Sequence, residues 1–519
     1  MRLPFPERIS VPAALLGATI LFGLQQLQKT PLTFSIYSFL FIMIATIAFN
    51  AAGGFARPSG SYVFFYAVLG LIVGIVYKAY LGEPADSNLR APILTMQVFC
   101  GGITGMLIAV LISRKLSRKK ALLGDILKKK NMRNAAIGCY ALGVSLTFIS
   151  AVVPHHDGTI LSAVMQLNRF LQVSVILSTI HAIRSSNGKS AINGLVILTV
   201  STTLFFGVLG FGKEAMFIPF LCWVVTACSL RLKVRLYQVG LALLMFFLMS
   251  RFLVPYSQLG RDLVPKEATF PERIALSVSL LSDLGSVRQR YLAEVASTEI
   301  EDNQISLAYY NEPQGLFDRL TMIGPDDALI SYTSQGSYTG LGVLPGDFAN
   351  WIPHFLWPDK PPVLNGNALA HKVGGILGDD DLSTGISFTP SGEAYQLGGW
   401  VGIFIAAPLI WIMVFVVFDS LCGDVRESPW GLLCIAIFAH VAPEGLLSGA
   451  IYITWFGAIG IIFAAVTSAY AMPLIGTLVA GPEATGLVRL RRTTPLPAPL
   501  RKRNGSSSVP PSDASTLPV

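Results

Sequence analysis

Apolar residues in this chain are gathered into long runs that polar connectors separate. A helix needs about 20 mostly apolar residues to cross a lipid bilayer, because it rises only about 1.5 Å per residue. The pattern predicts twelve such helices, with Pro443 and Glu444 as the interruption between the apolar runs of the last two. The predicted spans are roughly 9–25, 32–52, 61–80, 92–113, 134–153, 159–182, 192–211, 214–230, 236–256, 398–420, 429–446 and 450–476.

One long polar segment, residues 257–397, interrupts the apolar pattern. Two of its stretches, near 271–297 and 313–333, repeat apolar residues near helical spacing and predict a small, mostly helical cap packed on the bundle. The predicted organisation is a bundle of about nine helices (1–256), the polar segment (257–397), about three further helices (398–481) and a disordered basic tail (482–519).

The composition supports a membrane protein and excludes several other classes. Residues of the set AVILMFWYC make up 52% of the chain and charged residues only 13%, against roughly 25% in soluble proteins. So little charge cannot coat soluble domains of 519 residues, which excludes a cytosolic enzyme, a disordered scaffold and a nucleic-acid-binding domain. The predicted fold class is an all-α integral membrane protein with about 12 transmembrane helices and one large, mostly helical extracytoplasmic segment.

The distribution of charge predicts the orientation. Nine lysines and arginines crowd residues 114–133 after the fourth span, which places that loop in the cytoplasm. Alternate counting then puts the other basic clusters and both termini on the same side. The segment 257–397 has 8 Lys/Arg and 18 Asp/Glu, a balance of −10, whereas the remainder has 30 and 12, a balance of +18. The net charge of +8 therefore mainly reports insertion orientation.

Neither cysteines nor histidines indicate a disulfide framework or a metal site. All six cysteines lie in or beside predicted spans, and the polar segment has none. His155, His156 and Asp157 form an outer turn, but adjacent histidines point in different directions and further ligands are missing. A polar rim contact is the interpretation that we prefer for them, and we expect neither a metal nor a cofactor.

Charged residues at membrane depth are costly and indicate function by default. Arg169 near the middle of the sixth span predicts a contact to a phosphate or carboxylate, or else a structural pair with Glu214 or Glu444. Lys213 lies beside Glu214 in the turn after the seventh span, and Arg251 lies near the outer end of the ninth. Each is either a functional cation or a residue whose side chain snorkels to the membrane interface.

The densest signal in the polar segment is NWIPHFLWPDKPPVLNGNALAHK, residues 350–372. Aromatic planes such as Trp357 stack on sugar faces, and Lys360 could meet a phosphate. A rigid interfacial loop without chemistry is the alternative. Arg319 lies upstream in GLFDRLTMIG. The stretch SFTPSGEAYQLGGW (387–400) contributes Tyr395 and Glu393. Glu393 could act as a base, hold an arginine or cap a helix.

His440 and Glu444 are four residues apart in IFAHVAPEG and are predicted to share one helix face. This pair either handles protons or forms only a mutual hydrogen bond.

The stretches WIPHFLWPDKP and SFTPSGEAYQLGGWVG, with the Asp-Arg pair 318–319 and the GFGKE turn 210–214, resemble polysaccharide repeat-unit polymerases of the Wzy class. The resemblance covers most of the chain in layout and a few short motifs in sequence. It implies about twelve spans, a large outer loop and a GT-C-like architecture. Where the family pattern has an arginine after Ile-Pro, this chain has His354, which is mostly uncharged at neutral pH.

The resemblance implies that repeat units carried on undecaprenyl pyrophosphate are joined at the outer face of a bacterial inner membrane. No metal or cofactor is implied. The partners implied are the lipid-linked oligosaccharide, membrane lipids, and a chain-length regulator and flippase of the same pathway. The implied roles are bases at Glu393, His354 and His440, and substrate contacts at Arg169, Lys213, Arg251, Arg319, Lys360, Trp357 and Tyr395.

Three other functions fit the same pattern. The first is a transporter or flippase for an anionic or lipid-linked solute, although the long polar segment disfavours it. The second is an O-antigen ligase-like transferase or another glycosyltransferase that uses lipid-linked sugars. The third is a non-catalytic assembly protein of a polysaccharide export complex.

Overall fold

The computed structural model describes most of the chain, and every regular element in that part is helical. The described residues are 1–124, 126–127, 131–153, 159–265, 268–298, 307–353, 356–357, 359–360, 365–373, 376–377 and 384–481. The predictions for the turn 155–157, for His354 and for the tail 482–519 lie outside these residues.

Eleven helices precede the polar segment. They are α1 (Val11–Leu27), α2 (Leu32–Ala52), α3 (Pro58–Ala67), α4 (Val73–Leu81), α5 (Pro92–Leu116), α6 (Met132–Val152), α7 (Ile160–Gln166), α8 (Phe170–Ser185), α9 (Gly194–Leu209), α10 (Lys213–Ser229) and α11 (Leu236–Leu263). A π-helical turn, Val68–Ile72, joins α3 to α4 into one span.

The regular elements of the described polar segment are helical, in keeping with the predicted, mostly helical cap. It contains α12 (Phe270–Ser282), α13 (Leu284–Thr298), α14 (Leu316–Arg319), α15 (Ile323–Ser334), α16 (Leu344–Ala349) and α17 (Gly366–Val373). The chain ends with α18 (Pro390–Val401), α19 (Ala407–Cys422), α20 (Pro429–Glu444), α21 (Leu446–Tyr452), α22 (Ala458–Tyr470) and α23 (Met472–Ala480).

Seven helices in the described part are long and apolar enough to cross a membrane, and three shorter apolar helices accompany them. The protein is thus an all-α chain with several membrane-spanning helices. Every stretch predicted as a span is helical, but two have other boundaries. The sixth is broken between α7 and α8, and the tenth begins at Pro390, with Thr389 as its N-cap.

Glycines allow the last helices to pack closely against the first half of the chain. A Cβ on Gly138 of α6 would lie 2.1 Å from the carbonyl oxygen of Met472, and one on Gly476 of α23 would lie 1.9 Å from that of Asn134. Such small residues let helix backbones approach each other where lipid gives no hydrophobic drive for association. The two halves of the chain therefore form one bundle.

Basic residues predicted to lie on one side meet at one end of the bundle, which we call the basic end. Arg426 forms ion pairs with Glu7 and Asp424, and Arg57 approaches Asp419 of α19 at 3.9 Å. Arg2 pairs with Lys233 through a backbone bridge. The end that carries the polar segment is called the loop end.

Two adjacent acids of α15 fasten the polar segment to the bundle at the loop end. Asp326 accepts hydrogen bonds from the backbone N–H of Thr389 (2.9 Å) and from its hydroxyl, where α18 begins. Asp327 accepts from the N–H groups of Arg90 and Ala91 and from the Thr95 hydroxyl (2.7 Å), where α5 begins. Each carboxylate therefore fixes the residues that immediately precede one helix, and its negative charge is favourable near the positive N-terminal end of that helix.

Replacement of Asp327 by alanine removes three hydrogen bonds at the buried start of α5. We expect Asp327→Ala to lower the free energy of unfolding by about 2–3 kcal/mol, because buried donors are left unpaired. Thermal unfolding of the purified protein in detergent measures the loss. Glu312→Ala, at an exposed acid of the same segment, is the control. Equal melting temperatures for the two variants would contradict the role of Asp327.

Burial raises the pKa of Asp326 to about 7 from 3.8, although the hydrogen bonds of Thr389 act in the opposite direction. A raised carboxyl pKa stabilises the folded state at low pH, and this contribution is lost as the pH rises from about 4 through about 7. We therefore expect the stability of Asp326→Asn, measured relative to the wild type at the same pH, to increase as the pH rises from about 5 to about 8. Melting temperatures at both pH values test this, and a constant difference would refute it.

Candidate functional site

The turn between α9 and α10 is held in a strained conformation at the loop end. Phe211 has a φ of +50°, which is unfavourable for a residue with a side chain. Ser257 of α11 donates a hydrogen bond to the Phe211 carbonyl (2.6 Å), and a Cβ on Gly260 would lie 2.1 Å from the Phe211 ring. The part of α11 around Ser257 and Gly260 thus fixes the turn that ends at Lys213. Strained backbone of this kind is often found at functional sites.

Three cations converge beside this turn. Burial, followed by the charges of Arg319 in α14 and Arg261 at the end of α11, lowers the pKa of Lys213 to about 7. The short helix α14 is held by Phe317, whose ring stacks on Tyr77 with centroids 3.7 Å apart. Positive charges that are held within range of one another repel, so an anion placed between them is stabilised. We call Lys213, Arg261 and Arg319 the cation cluster.

A histidine and two acids border the cation cluster. Nε2 of His440 lies 3.7 Å from Glu214, and Nδ1 lies 3.7 Å from Glu444, which also accepts a hydrogen bond from Ser387 (3.3 Å). The prediction that His440 and Glu444 share a helix face is confirmed. The alternative that Arg169 pairs with Glu214 or Glu444 is wrong for the described residues, because both acids face His440 instead.

Glu393 is buried where α20 turns into α21. Its Oε2 accepts hydrogen bonds from the N–H groups of Leu447 and Ser448 (2.9 Å) and from the Ser448 hydroxyl (3.4 Å), so it does cap a helix. Its Oε1 has no hydrogen-bond partner among the described residues. Leu446, in the same turn, has a φ of +57°. One carboxyl oxygen therefore caps α21, and the other is buried without a hydrogen-bond partner among the described residues.

The aromatic motif of the polar segment folds onto α21. The Trp351 indole N–H donates to the Ile451 carbonyl (2.9 Å), and its ring stacks on Trp455 at 5.3 Å and 13°. Lys360 donates to the Ile352 carbonyl (3.2 Å), and burial lowers the pKa of Lys360. Trp357 is 40% exposed. The motif thus provides an anchored tryptophan, followed by an exposed tryptophan and a lysine.

The remaining predicted site residues lie apart from the cation cluster. Arg169 is at the break between α7 and α8, near Tyr452 of α21, rather than inside a continuous span. Arg251 is exposed on α11, about 15 Å along the helix from Arg261. Tyr395 is buried between Tyr338 and Trp400, with ring centroids 6.2 and 5.6 Å away, so we expect it to pack rather than to bind glycan.

Tertiary structure adds two residues that sequence reasoning missed. Arg261 was one of eight cations in the polar segment, with no motif around it. Asp347, in LPGDF of α16, is buried, and α16 packs against α21, the helix that Glu393 caps. Neither residue stands out in the sequence, because its neighbours depend on how α11 and α16 pack against other helices.

Comparison with known proteins returned no relatives: no protein-family model, curated protein or solved structure matches this chain. Its chemistry must therefore be argued from the arrangement of its own residues.

The cation cluster predicts binding of a diphosphate group. We expect Lys213→Ala and Arg261→Ala each to weaken the binding of inorganic pyrophosphate about tenfold, because each removes a charge-assisted contact of about 1.5 kcal/mol. Calorimetric titration of the purified protein measures this. Arg290→Ala, at an exposed arginine of α13, is the control. The same affinity for all four proteins would show that the cluster does not bind diphosphate.

Proposed function

We propose that the protein is a membrane glycosyltransferase that polymerises oligosaccharide repeat units carried on undecaprenyl pyrophosphate. The reaction takes place at the outer face of a bacterial inner membrane and forms O-antigen, capsule or exopolysaccharide. The proposal includes twelve crossings with a GT-C-like architecture, and it places the basic end and both termini in the cytoplasm.

The observation that carries this proposal is the position of the cation cluster relative to Glu393. Lys213 is within electrostatic range of Glu444, and Glu444 lies two residues before Leu446 in the turn that Glu393 caps. Cations that suit a leaving diphosphate and a buried carboxyl that suits an attacking hydroxyl thus flank one turn at the loop end. Polymerisation from a lipid pyrophosphate donor requires both groups.

The lipid part of the donor needs an apolar surface below the cation cluster. The half of α11 nearer the basic end exposes Leu241, Leu244 and Phe247, each more than half exposed. A polyprenyl chain laid along this half of α11 would bring its diphosphate towards Arg261 at the other end of the same helix. This position is the expected one for a lipid whose tail stays in the bilayer.

In the proposed reaction, a hydroxyl of one lipid-linked unit attacks the anomeric carbon of another chain. The new C–O bond forms as the bond from the anomeric carbon to the pyrophosphate oxygen breaks, and that oxygen leaves with the electron pair. Lys213, Arg261 and Arg319 stabilise the charge that develops on it, while Glu393 takes the hydroxyl proton. Arg169, His440, Lys360 and Trp357 line the approach of the two glycans.

Loss of a cluster cation is expected to shorten the polymer. Preorganised charge of this kind is worth about 10²–10³ in rate per group. We expect Arg319→Ala and Lys213→Ala to leave mainly single or few repeat units, whereas Arg290→Ala gives the normal ladder. Gel electrophoresis of glycan from cells that carry each variant measures the chain length.

Three results would contradict this function. Full-length polymer at normal levels in both cluster variants would show that the cation cluster is not the catalytic site. A deletion strain that still polymerises units but fails to transfer finished glycan to its acceptor would indicate a ligase. A strain in which lipid-linked units stay on the cytoplasmic face would indicate a flippase.

A further inference from the structure

Trp351 fastens the polar segment to the side of a membrane-spanning helix. Its indole N–H donates to the Ile451 carbonyl (2.9 Å), and its ring stacks on Trp455 with centroids 5.3 Å apart. Both partners belong to the spanning helix Leu446–Tyr470. At about 1.5 Å per residue, Ile451 lies about 8 Å and Trp455 about 14 Å from the loop-end start of that helix. The chain around Trp351 therefore reaches below the point where this span begins.

The length of α20 limits how high the loop end stands above the membrane. This helix begins at Pro429, close to Arg426 of the basic end, and it ends at Glu444. Its 16 residues extend about 24 Å, at about 1.5 Å per residue. The hydrocarbon layer of a bilayer is about 30 Å thick, so the turn at Gly445 lies no higher than the edge of that layer. Trp351 contacts the next helix beyond this turn and therefore lies at the depth of lipid.

The chain on both sides of Trp351 is apolar and exposed. Three large apolar side chains, which we call the apolar patch, are Phe348 (36% exposed), Ile352 (41%) and Leu356 (66%). Among Asp, Glu, Lys and Arg, residues 344–357 contain only Asp347, which is buried. Exposed apolar groups that cluster without charge mark a contact with a membrane or another molecule.

Ring contacts make the apolar patch continuous with a surface that faces lipid. The Phe348 ring meets the Trp351 ring edge-on at 5.1 Å, and Trp351 in turn stacks on Trp455. Trp455 is 43% exposed on a spanning helix, where an exposed side chain faces lipid. Lys360 donates to the Ile352 carbonyl (3.2 Å), which places its ammonium group beside the patch. Tryptophans and a lysine with a long apolar stem are typical of the boundary between lipid and water.

We propose that the apolar patch lies in the membrane leaflet at the loop end and contacts the acyl chains of phospholipids. The polar segment is thereby anchored in the bilayer as well as on the bundle. Apolar groups at a membrane interface are commonly buried about 5–10 Å into the boundary between headgroups and acyl chains. The inference does not depend on the enzymatic function proposed above, because it uses only the position of Trp351 and the exposed residues around it.

Photochemical labelling of the wild-type, full-length protein tests this contact. The protein is reconstituted in phosphatidylcholine vesicles that include a phosphatidylcholine with a diazirine on its acyl chain, and mass spectrometry locates the labelled residues. We expect label on the apolar patch, as on Leu241 of α11, and at least about tenfold less on α13 around Arg290, because a charged surface stays in water. A patch labelled no more than α13 would overturn the proposal.

Access to water is measured in the same vesicles with two matched variants, Leu356→Cys and Arg290→Cys. Both positions lie in the polar segment, so the orientation of the protein in the vesicle affects them equally. We expect a charged maleimide to modify Leu356→Cys at least about tenfold more slowly than Arg290→Cys, because apolar surroundings disfavour the reactive thiolate. The wild type gives the background from the six native cysteines.

Equal rates for the two variants would also overturn the proposal, because the apolar patch would then face water, as a surface for a glycan or a protein partner does. Melting temperatures show whether each variant is folded. Should Leu356→Cys unfold, the labelling of the wild-type protein decides, because it needs no substitution.

Discussion

The arrangement of the loop end depends on satisfying the backbone N–H groups at helix starts with buried carboxylates. A helix that begins where water is scarce has donors that nothing inside the helix can pair. Glu393 accepts from N–H groups in the first turn of α21, whereas Asp327 and Asp326 accept from the N–H groups of the residues just before α5 and α18. Since Asp326 and Asp327 belong to the polar segment, the same hydrogen bonds that complete the spans also fix that segment on the bundle.

These hydrogen bonds also fix the geometry of the candidate site. With α18 and α21 fixed, the turn that contains Leu446 can keep its strained conformation, and Glu393 points into it. On the opposite side α11 fixes the turn before Lys213 in a similar way. The turn before Lys213 and the turn that Glu393 caps are thus each held by contacts from another helix.

Helix positions were predictable from the sequence, because apolar run length and composition are local properties. The stretches predicted as spans are helical, and His440 and Glu444 share a face because a four-residue spacing alone requires it. The interruption at Arg169 was missed, because apolar residues on both sides conceal a break that depends on polar contacts of Asn168 with Thr147 and with the Phe170 N–H group. Orientation in the membrane, the family resemblance and the catalytic roles remain predictions.

By itself, the sequence determined that this is an all-helical chain with several membrane-spanning segments, one polar segment, and basic residues collected at one end. Hydropathy and charge decide these features residue by residue. Only tertiary structure decided that Arg261 joins Lys213 and Arg319, and that Arg251 does not. These residues are separated by up to 106 positions, between Lys213 and Arg319, and no local pattern specifies which helices pack together. Contacts of that kind arise from the packing of whole helices, so the candidate site can be recognised only in the tertiary structure.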